Sequence, residues 1–127
     1  MHASSTIDLE FGAPAFTVEP PVTELGPHVA PLGMKFYTGP MFPEQYRGNL
    51  FIAEHGSWNR TPEAGHTGYN VTMVNTKTGA KTILIDGWLM DNVAWGRPVD
   101  IMEMPDGSLL ISDDHANVIY RLSYEAP

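Results

Sequence analysis

The segment His55-Gly56-Ser57-Trp58-Asn59-Arg60 places an imidazole, a hydroxyl, an amide and a guanidinium within six residues. A serine near a histidine can perform acyl transfer. Ser57 would be the nucleophile, His55 or His28 the base, and the N–H groups of the Gly56 loop the oxyanion donors. The flanking glycines of a nucleophile elbow are missing. The same segment reads equally as a turn, with Ser57 or Asn59 bonded to backbone and Trp58 packed on a neighbour. Arg97 precedes Pro98, which holds its backbone extended. Its guanidinium could grip an anion or pair with Asp91 or Asp100. Asp113-Asp114 offers two adjacent hard ligands for calcium, or a turn that bonds its own backbone. The histidines lack His-x-x-x-His or comparable zinc spacing. With no cysteine, disulfides and thiolate chemistry are excluded.

Short strands must position these groups. Gly and Pro contribute 12 and 11 residues, which argues against long helices. Apolar alternation and turn signals predict strands at Met34–Thr38, Asn49–His55, Tyr69–Asn75, Lys81–Ile85, Val99–Met104, Ser108–Ser112 and Val118–Tyr124. Thr78-Gly79 and Pro105-Asp106-Gly107 mark turns. Thr6–Phe11 could add an edge strand.

An internal repeat organises this series. Gly48-Asn49-Leu50-Phe51-Ile52-Ala53-Glu54-His55 matches Gly107-Ser108-Leu109-Leu110-Ile111-Ser112-Asp113-Asp114 at an offset of 59 residues. Tyr69–Val74 resembles Ala116–Arg121 at an offset of 47 or 48, so the first unit carries about 11 extra residues, roughly 57–67. Repeated units of this size with up to four strands read as propeller blades. The expected fold is therefore all-β, with two propeller blades per chain. Residues 1–27 form an N-terminal arm, 28–97 blade 1 with the 57–67 insertion, and 98–127 blade 2. Two blades cannot close a ring. Three chains would complete a six-bladed β-propeller as a homotrimer with heterologous contacts. In that topology the 55–60 loop, the 88–97 connection, Asp113-Asp114-His115 and the approach around His28 share one mouth, with His66 on the insertion.

Composition narrows the partners. The 127 residues are 43% hydrophobic and 17% charged, with a net charge of -8. That is a globular composition with an acidic, solubilising surface. The seven basic residues are scattered, which argues against nucleic acid. No apolar run is long enough for a membrane-spanning helix, and Met1–Ser5 does not open a signal peptide. The expectation is a soluble, bacterial-type cytoplasmic or periplasmic protein acting on a small molecule.

Longer ordered stretches carry a resemblance. His28-Val29-Ala30-Pro31-Leu32-Gly33, Phe36-Tyr37-Thr38-Gly39, Met41-Phe42-Pro43 and Tyr46-Arg47-Gly48 lead into the 55–60 segment. Trp95-Gly96-Arg97-Pro98-Val99-Asp100 and Asp106–Asp114 follow. Residues 22–125 resemble the C-terminal part of the sorbosone dehydrogenase and soluble glucose dehydrogenase family. The resemblance implies a six-bladed propeller and oxidation of aldoses or sorbosone with pyrroloquinoline quinone (PQQ) and calcium. It implies that Arg97 contacts the cofactor and that Trp58, Asn59 and Arg60 lie on a cofactor-facing loop. No residue matches the family's catalytic histidine base.

Three functions follow. The first is a reduced quinone-dependent sugar dehydrogenase, with His55 or His28 accepting the hydroxyl proton. The second is a carboxylesterase- or lactonase-like hydrolase built on Ser57. The third is a non-catalytic binding module.

Overall fold

The computed structural model describes residues 19–127. Nine strands form three antiparallel sheets. The first is a four-stranded meander of β1 (Pro31–Phe36), β2 (Leu50–Glu54), β3 (Asn70–Val74) and β4 (Lys81–Ile85). A small hairpin of β5 (Leu89–Met90) and β6 (Val93–Ala94) follows. A three-stranded meander of β7 (Pro98–Glu103), β8 (Leu109–Asp113) and β9 (Val118–Leu122) completes the chain. Among the described residues the only helix is the short 3-10 turn Glu44–Tyr46, and no helix is long and apolar enough to cross a membrane. The expected edge strand at Thr6–Phe11 lies outside the described residues.

The all-β expectation holds, and the repeat maps onto equivalent strands. β2 and β8 are offset by 59 residues and β3 and β9 by 48. The connection from β2 to β3 exceeds that from β8 to β9 by 11 residues, as the repeat requires. A single chain forms two open sheets rather than a closed barrel or ring. The β5–β6 hairpin was not expected. Each strand has two residues, too few to show alternation, and the turn uses Asp91-Asn92 with φ of 50° and 61°. Positive φ at both central residues gives the tight hairpin turn whose twist matches its strands.

The core lies between the two large sheets. Phe51, Ala53 and Val71 of the first pack against Ile101, Leu109 and Ile111 of the second. β2 reads Leu-Phe-Ile-Ala and is buried nearly throughout, whereas β8 alternates, as expected of a strand covered on one face. Tyr37 ties the non-mouth ends together. Its ring stacks on Phe42 at 4.6 Å and Phe51 at 5.5 Å, and its hydroxyl donates to the Gly107 carbonyl at 2.8 Å. Gly39 must be small there, since a Cβ would lie 2.8 Å from Gly107 Cα. Each sheet leaves its outer face open. Met34 and Ile83 on the first, and Met102 and Ile119 on the second, are more than half exposed.

Candidate functional site

At the opposite end of the strands, one arginine organises the loops. Arg97 donates from Nε to the His55 carbonyl at 2.9 Å and from Nη2 to the Gly56 carbonyl at 2.5 Å. Its guanidinium lies 5.3 Å from the centre of the Tyr69 ring. Gly96 beneath it is forced, because a Cβ there would overlap the Asp113 carboxylate and the Trp88 ring. The expected pairing of Arg97 with Asp91 or Asp100 is replaced by these backbone carbonyls.

His55 extends the same bridge. Its Nε2 meets Asp114 Oδ1 at 2.8 Å, joining the β2–β3 connection to the β8–β9 turn. This hydrogen bond, aided by the His55 and Arg97 charges, holds the Asp114 carboxyl below its ordinary value. The His55 and Gly56 N–H groups donate to the Ala30 and Val29 carbonyls at 2.9 and 2.8 Å. Gly56 has φ of 95°, and a Cβ would overlap the Tyr69 ring. Tyr69 itself sits at φ 61°, a conformation costing about 1–3 kcal/mol in a bulky residue. Its buried ring offsets that strain by filling the space beside Gly56 and under Arg97.

Ser57 pairs with His66, not with His55 or His28. Its Oγ lies 3.0 Å from His66 Nδ1 and accepts the Thr67 N–H at 3.0 Å. Its carbonyl accepts the Tyr69 hydroxyl, and the side chain is 1% exposed. The Gly56 N–H serves Val29, and the Ser57 N–H donates to the Thr67 carbonyl at 2.9 Å. Both candidate oxyanion donors are thus occupied, and Ser57 acts here as a clasp across the insertion. His28 is exposed on the approach to β1 at φ 59°. Trp58 and Asn59 are exposed at the loop tip. Arg60 folds back, donating to the Gly65 carbonyl at 2.5 Å and the Ala64 carbonyl at 3.0 Å.

Asp113 is a turn residue. Oδ1 accepts the His115 and Ala116 N–H groups at 3.0 and 2.8 Å, and Oδ2 accepts the Tyr120 hydroxyl at 3.0 Å. Asp113 and Asp114 therefore face different partners. Among the described residues no three carboxylates or histidines gather as a metal would require. The quinone fares little better. It carries three carboxylates, and Arg97 and Arg60 each use two guanidinium nitrogens on backbone carbonyls. The fork that would grip a carboxylate is engaged in both, so these residues alone do not fit the quinone or calcium.

The TrAA12-like family model matches residues 13–125, nearly the full chain. The chain belongs to the TrAA12-like family. This TrAA12-like chain is 46% identical over 112 residues to an uncharacterized protein of Borreliella burgdorferi, covering 84% of the chain and 29% of that protein. It is 48% identical over 46 residues to a pyrroloquinoline quinone-dependent pyranose dehydrogenase of Coprinopsis cinerea, covering 36% of the chain and 6% of that enzyme. The chain thus spans less than a third of the length of these relatives. No solved structure matches it.

Sequence reasoning missed three members of this region. His66 and Tyr69 act across the insertion, where no spacing rule connects them to Ser57 or Arg97. Glu54 is buried at the end of β2, and its signal was present, because the repeat aligns it with the buried Asp113.

Proposed function

We propose that the chain supplies two blades of a six-bladed propeller related to quinone-dependent sugar oxidoreductases, and that three copies complete the ring. The mouth loops would form part of the wall around a sugar and its quinone, with neighbouring sheets supplying the rest. The family match across residues 13–125 carries this reading. The two open apolar faces, on opposite sides of the sheet pair, support it, because head-to-tail stacking would cover both. In this arrangement Arg97 sets the loop geometry. His55, oriented through Nε2 by Asp114, retains Nδ1 to accept a proton from a bound hydroxyl. Arg60 and Arg97 each keep Nη1 for a monodentate contact with an anionic group.

The test is mass in solution followed by titration with PQQ and calcium. Three chains of 14.0 kDa give a species of about 42 kDa. Saturable quinone uptake by that species supports the reading. A monomer that takes up no quinone overturns it. A trimer without uptake favours the non-catalytic binding module.

A further inference from the structure

A cleft of about 360 Å³ opens on the outer face of the first sheet, away from Arg97. Its volume lies within the small-molecule range of about 300–1,000 Å³. Leu25, Val29 and Ile83 give it apolar walls, and Glu54, Asn70 and Lys81 give it polar ones. Glu54 is only 4% exposed, and its Oε2 makes no hydrogen bond among the described residues.

The protons in this cleft can be counted. The Thr72 hydroxyl lies 2.9 Å from Glu54 Oε1 and 3.0 Å from Asn70 Oδ1. Asn70 Nδ2 donates to the Gly68 carbonyl at 3.3 Å, which turns Oδ1 toward Thr72. Three oxygens then share two contacts, and the hydroxyl has one proton. Thr72 donates to Asn70, so the proton between Glu54 and Thr72 must come from the glutamic acid. Burial favours the same form, raising the Glu54 carboxyl above its ordinary value despite Thr72 and Lys81. Lys81 on β4 and His66 on the β2–β3 connection are the charged or titratable groups around the cleft, and Pro31 faces Glu54 across β1.

We propose that this cleft binds a small, uncharged, hydroxyl-rich ring such as a hexose, with Glu54 in its neutral, proton-bearing form. The neutral acid presents Oε2 as an acceptor. Lys81 uses one donor on the Glu24 carbonyl at 2.6 Å and has others to offer. Donors and acceptors beside apolar walls suit a ring that carries both hydroxyl and C–H faces. A cation would face Lys81 and an acid with no charge to give.

The site does not depend on quinone binding and is tested without quinone or calcium. D-glucose is titrated into the full chain, following the amide resonances of Glu54, Asn70 and Thr72. The expected result is saturable shifts at these residues, retained in Glu54→Gln and weakened about tenfold in Lys81→Met and Thr72→Val. Lys81 is exposed, so its variant remains informative if Thr72→Val does not fold. Absence of saturable shifts, loss of glucose binding in folded Glu54→Gln, or shifts produced by acetate rather than glucose would each overturn the proposal. A negative result here leaves the quinone reading untouched, and failed quinone uptake leaves this site untouched.

Discussion

His55 and Asp114 occupy the same position in the two copies of the internal repeat, 59 residues apart, and their side chains meet at 2.8 Å. Equivalent loop starts of adjacent sheets therefore touch at the mouth. One position has become an imidazole and the other its carboxylate. The pair joins the two meanders at this end, as Tyr37 and Gly107 join them at the other.

Asp114 is exposed, so the pair contributes modestly, and Asp114→Ala should lower stability by less than about 1 kcal/mol. The pH dependence has a definite sign. Its carboxyl is depressed in the fold, chiefly by His55, so the contribution is complete above the ordinary carboxylate range. It disappears as pH falls through the depressed value. Urea midpoints of the parent and Asp114→Ala should differ at neutral pH and converge in acid. A gap that widens in acid would contradict this assignment.

Arg97 should resist conservative replacement. A lysine cannot span the His55 and Gly56 carbonyls as a planar fork while stacking on Tyr69. Arg97→Lys should cost about 2 kcal/mol, close to Arg97→Ala, because both leave partly buried carbonyls unpaired. Denaturation of the two variants side by side checks this. Near-complete rescue by lysine would show that charge alone matters.

Gly56→Ala should be the most damaging small substitution at the mouth. It forces a Cβ into the Tyr69 ring and into a left-handed backbone at φ 95°. Strain and overpacking add, giving a loss of about 2 kcal/mol or more, read from thermal or chemical denaturation. Gly48→Ala is the control. It shares the positive φ, but nothing lies near its Cβ, so it isolates the backbone contribution.

The strands were legible because their physical signals are local. β8 alternates Leu109, Ile111 and Asp113 toward the core between a Gly107 turn and the Asp113 turn, and the repeat then located β2. β1 was placed three residues late, since Pro31 and Gly33 mask a strand that passes through an irregular pairing with β2. The site was less legible because its contacts end on backbone. Arg97 and Arg60 bind carbonyls, which every residue carries and no motif marks. Ser57 and His66 meet because a loop folds on itself.

Glu54→Gln separates burial from charge. Glu54 is raised in the fold, so its stabilising state is the protonated one, complete below the ordinary glutamate value. That stability is lost as pH rises through the raised value, when a buried carboxylate must form beside Thr72 and Asn70. Glutamine removes this penalty and keeps a donor for Thr72 with nearly the same shape. Its stability should match or fall slightly below the parent's in acid and exceed it at neutral pH. The advantage should grow with pH and then level off. Guanidinium melts of both proteins at several pH values measure the difference directly. A glutamine variant that loses stability as pH rises relative to the parent would mean that the carboxylate form is the one the fold prefers, and the proton count around Thr72 would have to be reversed.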